Sequence, residues 1–93
     1  MEQHAKLVAD LLKVLANENR LLILCYLIES PMTVTELTNK ITNITQSALS
    51  QHLSILKAHR IVDSSKKGQN ITYSISDERI LSVIEVLKSK YCV

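Results

Sequence analysis

Residues 45–57 read TQSALSQHLSILK, and from Asn43 through Leu56 no side chain is charged, in a chain whose residues are 22% charged. Leu49, Leu53 and Leu56 recur at helical spacing and mark an inward stripe. Ser47, Ser50, Gln51 and Ser54 fall at i, i+3, i+4 and i+7 on the opposite side. An exposed helical face ordinarily carries Lys and Glu, so a ridge of Ser, Gln and His calls for another surrounding. These side chains both donate and accept hydrogen bonds and bring no negative charge against a phosphate. Gln pairs bidentately with adenine in the major groove, and Ser meets base edges or phosphates. Thr45 is placed to cap this helix, predicted over 46–59.

Just upstream, Thr33-Val-Thr-Glu36 matches the S/T-x-x-E capping box, in which each end satisfies a free N–H of the first helical turn. The box predicts a short helix over 34–42, which TNIT breaks. Two short helices about three residues apart make a helix-turn-helix, whose second helix enters the major groove with its N-terminal residues leading. A Ser-rich exposed helix with no partner is the plainer alternative.

Residues 5–16 place Val8, Leu11, Leu12 and Leu15 on one helical stripe. NEN interrupts, and RLLILCYLIES follows with Leu21, Leu24, Cys25 and Ile28 at the same spacing. This second helix is apolar on nearly every side, which predicts a central position, and Pro31 disfavours helix at the residue before it. After Arg60 the period changes. Gly68, the chain's only glycine, separates two extended segments, and Ile71, Tyr73 and Ile75 alternate with polar residues. A β-hairpin with the basic tip SKKGQN follows from this. In DERILSVIEVLKSKY, residues Ile80, Val83, Ile84 and Leu87 form a last helical stripe. Ser76 or Asp77 caps it, and Lys88 and Lys90 sit near its negative end. The expected fold is one mainly α domain over residues 1–93 with a small hairpin, a winged helix-turn-helix in the order ααααββα.

Composition narrows the function. With 93 residues and 46% hydrophobic content there is material for one core, and a dimer would add burial to a marginal domain. One Gly and one Pro argue against a turn-rich all-β fold. No apolar run reaches the ~18 residues of a membrane span, and MEQHAKLVAD has no signal-peptide core, so a soluble cytoplasmic protein without membrane association is expected. Net charge is only +2, but Pro31–Ile75 holds five basic against two acidic residues, while the remainder holds six against seven. The positive charge is therefore focused on the segment that carries the ridge and the hairpin. Lys66 and Lys67 alone would read as an ordinary solvated tip. No nucleophile–base pairing, phosphate-binding glycine loop or carboxylate cluster is visible, so no catalytic residues, cofactor or enzyme activity are expected. Cys25 and Cys92 do not make a secreted-type disulfide framework; they are either small core residues or a reactive pair.

LANENRLLILCYL, QSALSQHLSILK, GQNITYSI and the closing helix together resemble the ArsR/SmtB family of winged-helix repressors, over nearly the whole chain and most specifically in SALSQHL. The resemblance implies a homodimer held by the first and last helices, with a recognition helix and a β-wing in each subunit. It also implies operator affinity that falls when an inducer binds. Many members sense metals through a Cys-x-Cys in the third helix or through Asp and His on the last. Here TVTELTNKI has no thiol, and the last helix has Asp77 but Arg79 where His is needed, so no metal site is expected. The placement of Cys25 and Cys92 instead resembles the dithiol, BigR/HlyU-like branch, which responds to reactive sulfur species or oxidants through a bridge between these two cysteines. The chain departs from the family at Ala58-His59-Arg60, where a Gly usually follows the recognition helix.

Together these readings expect double-stranded operator DNA as partner. Ser47, Ser50, Gln51 and His52 would read bases, and Thr45 and Gln46 would meet phosphate or bases at the helix entrance. Lys66, Lys67, Gln69 and Asn70 would seat the wing, and Cys25 with Cys92 would form the switch. His4 and His59 are expected to be ordinary surface residues. The alternatives are a metal-responsive repressor using Cys25, Cys92 and His4 or an acidic residue, and a winged-helix module that binds protein.

Overall fold

In the computed structural model, which describes residues 2–91, a 3-10 turn (Glu2–His4) leads into α1 (Ala5–Leu15). Asn17 ends that run and starts the next helix. Its side-chain oxygen accepts from the backbone N–H groups of Asn19 at 3.0 Å and Arg20 at 3.1 Å. NEN therefore holds both a cap and the first turn of α2 (Glu18–Leu27), and is not merely a break. Next come β1 (Met32–Thr33), α3 (Val34–Lys40) and α4 (Gln46–Ala58). The capping box at Thr33 forms as expected: Thr33 Oγ1 accepts from Glu36 N–H at 3.2 Å, and Thr33 N–H donates to Glu36 Oε1 at 3.0 Å. α3 stops earlier than predicted, because Ile41 turns to extended backbone and is buried, so the turn before α4 spans residues 41–45. Thr45 Oγ1 caps α4 by accepting from Ala48 N–H at 3.0 Å.

α4 ends in a Schellman motif. Arg60 N–H donates to the Lys57 carbonyl at 2.9 Å and Ile61 N–H to the Leu56 carbonyl at 3.0 Å, with Arg60 in left-handed backbone at φ +58°. Leu56 and Ile61 are both fully buried, supplying the apolar contact that accompanies this motif. Arg60 thus occupies the position where glycine costs least, and the exit is well formed without one.

β2 (Val62–Lys67) and β3 (Asn70–Ile75) pair antiparallel from Val62 opposite Ile75 to Lys67 opposite Asn70. Gly68, at φ +61°, takes the first of the two central hairpin positions, and Gln69 is not in left-handed backbone, as a II′ turn requires. β3 also pairs with β1, Met32 opposite Tyr73, which gives the sheet order β1-β3-β2. This third strand has no sequence signature: it is two residues long, and Thr33 serves at once as strand end and helix cap. α5 (Glu78–Tyr91) follows. Asp77, not Ser76, caps it, accepting from Arg79 N–H at 2.9 Å, while Ser76 Oγ donates to the Arg60 carbonyl at 3.1 Å.

The core is built on α4. Leu49, Leu53 and Leu56 are fully buried among Ile23 and Leu24 of α2, Leu37 of α3, Ile61, and Ile80 and Ile84 of α5. Truncating any of the three leucines to Ala would cost about 2–5 kcal/mol, a large part of a small domain's stability. The predicted stripes of three other helices need correction. In α2 the buried positions are Ile23, Leu24 and Leu27, and Leu21, Cys25 and Ile28 are only half-buried. A helix apolar on every side does not disclose its inner face. In α1 only Val14 and Leu15 are buried, and in α5 only Ile80 and Ile84. Leu12, Val83 and Leu87 remain exposed. Among the described residues no helix is long and apolar enough to cross a membrane.

Candidate nucleic-acid interface

The fold presents the uncharged ridge of α4 to solvent. With three leucines turned inward, Thr45, Gln46, Ser47, Ser50, Gln51 and Ser54 are all exposed. No acidic residue stands in the first turn of this helix, so its positive dipole end and free N–H groups face outward without a carboxylate to neutralise them. Thr45 Oγ1 accepts the cap hydrogen bond and keeps its own O–H to donate. His52 stands apart from this set. It is half-buried, and its Nδ1 lies 3.4 Å from Nη1 of Arg20 on α2. Burial, and after it the positive charge of Arg20, hold the His52 pKa below its ordinary value.

The hairpin is tied to the ridge helix by more than the chain. Lys57 Nζ, in the last turn of α4, donates to Ser64 Oγ on β2 at 2.7 Å. Lys66, Lys67, Gln69 and Asn70 are all exposed, and neither lysine has an ion-pair partner among the described residues. The residues expected to read bases and those expected to seat a wing therefore lie on adjoining, connected elements. Sequence reasoning counted Lys57 and Arg60 only toward the local positive charge, without a structural part in this assembly, and missed Arg20. For Arg20 the one available signal was that it is the only basic residue between Lys13 and Lys40, just ahead of the apolar run Leu21–Cys25.

Cys25 is half-buried in a second, separate feature, an apolar cleft of about 300 Å³ between α2 and α5. Leu21, Leu22, Ile84, Leu87 and Tyr91 also line it. Cys92 lies outside the described residues, but Tyr91, which precedes it, borders the same cleft as Cys25. An ion pair between Lys88 and Glu29 fastens the end of α5 to the chain just beyond α2. Among the described residues, no three His, Cys, Asp or Glu side chains are grouped so as to hold a metal. Asp77 is occupied by its neighbour: Arg79 donates through Nε to Oδ1 at 3.1 Å and through Nη2 to Oδ2 at 2.8 Å. Those hydrogen bonds hold the Asp77 carboxyl below the usual carboxylate range. His4 and His59 lie at another cleft with Asp77 and Arg79, and His59 Nδ1 sits 2.9 Å from the Ile55 carbonyl.

Comparison with known proteins agrees with this geometry. Residues 17–64 match the family described as "Bacterial regulatory protein, arsR family". The chain is 39% identical over 92 residues to the transcriptional activator HlyU of Vibrio cholerae, covering 99% of this chain and 84% of that protein. A structure described as reduced HlyU from Vibrio cholerae superposes with a TM-score of 0.92 over 100% of this chain and 97% of that one, at 39% identity. The transcriptional repressor BigR from Xylella fastidiosa gives 0.88 at 34% identity over 99% and 90%. A homodimeric winged helix-turn-helix DNA-binding domain from Mycobacterium bovis gives 0.77 at 27% identity over 88% and 75%. The chain belongs to the arsR family of bacterial regulatory proteins, a family of transcriptional regulators and not of enzymes.

Proposed function

We propose that this arsR-family chain is a homodimeric DNA-binding repressor whose operator affinity is lowered when Cys25 and Cys92 are oxidised or persulfidated. The observation that carries the reading is the exposed, uncharged ridge at the acid-free N-terminus of α4. In this reading Ser47, Ser50, Gln51 and His52 contact base edges in the major groove, with Thr45 and Gln46 at the helix entrance. Lys66, Lys67, Gln69 and Asn70 on the hairpin take the phosphate backbone or the minor groove. Repression follows wherever the operator overlaps the polymerase site, since occupancy alone then blocks transcription.

Two further observations support the finer parts. Of the large apolar side chains left exposed among the described residues, Leu7 and Leu12 lie on α1 and Val83, Val86, Leu87 and Tyr91 on α5, while only Ile55 and Ile71 lie elsewhere. A second copy covering α1 and α5 would remove them from water, and the Mycobacterium bovis relative is described as homodimeric. For the switch, Cys25 shares its cleft with the residue that precedes Cys92. One thiolate takes the outer sulfur of an organic persulfide, RSSH, releasing the thiol RSH; the second thiolate attacks the new cysteine persulfide and releases hydrogen sulfide, leaving a disulfide. The test is fluorescence anisotropy of the reduced dimer on a duplex selected from a randomised pool, before and after persulfide, with mass spectrometry of the cysteine linkage. Salt-dependent binding that weakens on bridging, and a Cys92→Ser variant that no longer responds, are expected. Binding insensitive to salt, or a Cys92→Ser variant that still responds, would refute the DNA part or the switch part respectively.

A further inference from the structure

Arg20 joins three helices with one side chain. Its Nε–H donates to the Val14 carbonyl near the end of α1 at 2.6 Å, and its Nη1 reaches Nδ1 of His52 on α4 at 3.4 Å. The second distance is long for a hydrogen bond, but its sense is fixed. A guanidinium has donors only, so Nδ1 must be the accepting nitrogen and the ring proton must sit on Nε2. The lowered pKa keeps the ring neutral at pH 7. Among the described residues, Arg20 on α2 is the charged group whose field acts on the ring. The α4 neighbours of His52 one turn away are Ala48, Leu49, Ile55 and Leu56, and α1 offers this bridge only a carbonyl. Nε2 has no protein partner among the described residues.

We propose that Arg20 is a positioning residue for DNA reading, which locks His52 as the Nε2–H tautomer so that the recognition helix presents a fixed hydrogen-bond donor to an acceptor on the duplex. The proposal rests on the DNA-binding reading above. A free imidazole exchanges tautomers and offers either a donor or an acceptor. A locked one favours purine N7, guanine O6, thymine O4 or a phosphate oxygen over the amino groups of adenine and cytosine. Because the guanidinium is anchored on the Val14 carbonyl, the packing of α1 against α2 sets where that donor stands.

Long-range 1H–15N spectra of the free dimer test the lock without DNA. At pH 7 His52 should show a protonated Nε2 and a bare Nδ1, and Arg20→Gln should turn it into a mixture of tautomers. Arg20→Lys retains a donor cation and should keep more of the lock, which covers a failure of Arg20→Gln to fold. On a duplex selected from a randomised pool, Arg20→Gln and His52→Ala should each weaken binding roughly three- to tenfold, the size of one hydrogen bond. The double variant should lose no more than His52→Ala alone, because Arg20 acts through the ring; a merely structural role for Arg20 would add its own loss. Loss confined to one base position on reselection identifies a base acceptor, and uniform loss a phosphate. A mixture of tautomers in the wild-type protein, or additive losses in the double variant, would overturn the proposal. A wild-type protein that bound no duplex would overturn both readings, with the spectra showing whether the lock itself survives.

Discussion

Replacing Lys66 and Lys67 together by Gln isolates the contribution of the wing. Lys66 lies opposite Ile71 and Lys67 opposite Asn70 at the end of the hairpin, both exposed and neither in an ion pair among the described residues. No carboxylate among the described residues competes for these charges, so each is available to a phosphate. A dimer presents four of them. If each neutralises one phosphate, each steepens the plot of log K against log salt by about 0.9, and the double variant should flatten it by up to about 3.6. At 0.1 M salt the counterion-release part of one contact is about 0.9 of a decade in affinity, so the loss is large and readily measured. Gln keeps the length of the side chain and some hydrogen bonding, and an exposed tip substitution should change stability by no more than about 0.5 kcal/mol. Fluorescence anisotropy over a KCl series, on a selected duplex and on a scrambled one, provides the readout. The two duplexes should lose affinity alike, since phosphate contacts carry no sequence information. Salt plots of wild type and variant that run parallel would exclude the wing from the interface.

Three other outcomes follow from single side chains. Arg60→Gly should raise stability by about 0.5–1 kcal/mol, because it relieves a left-handed non-glycine residue while giving back part of the gain as unfolded-chain entropy; a thermal melt no higher than wild type would contradict the strain argument. Gln51→Ala should relax discrimination at one operator position by about 1–3 kcal/mol, and an equal loss on every sequence would contradict base reading. Burial and Arg20 hold the His52 pKa below its ordinary value of 6.5, so the unfolded chain takes up this proton more readily than the folded one. The stability given by the neutral ring is complete above that value and is lost as pH falls toward the folded pKa. His52→Gln should remove this part of the acid sensitivity, which denaturant melts from about pH 7 to 5 would show as a shallower decline.

What could be read from the sequence was what is local. The two caps at Thr33 and Thr45, the inward leucines of α4 and the turn at Gly68 each depend on residues a few positions apart, and each stands where its spacing places it. What could not be read depends on distant or missing surfaces. Arg20 and His52 are 32 residues apart, and no pattern along the chain pairs them. The apolar stripes of α1 and α5 mix residues that pack on their own subunit with residues left exposed, so periodicity marks the stripe without dividing it. Arg60 hides a left-handed residue because Arg, unlike Gly or Asn, does not advertise one.

The turn between recognition helix and wing bears on how any switch must work. Residues 59–61 are held by His59 N–H to the Ile55 carbonyl, Arg60 N–H to Lys57 and Ile61 N–H to Leu56, and by Ser76, whose Oγ and N–H bond the carbonyls of Arg60 and Ile61. Lys57 and Ser64 add a side-chain tie across the same turn. α4 and the hairpin therefore behave as one rigid reading head, and Cys25 lies away from it, in the cleft between α2 and α5. In the proposed dimer, thiol oxidation that releases DNA would then act by changing the spacing or tilt of two intact heads, so that they no longer span half-sites about one helical turn apart. Hydrogen exchange separates this from local unfolding. On bridging the cysteines, amides of α2 and α5 should change protection, while those of Ile61 and the α4 C-terminus should stay as slow as in the reduced protein. Faster exchange at that turn would mean that the switch melts the head, and the rigid-body account would fail.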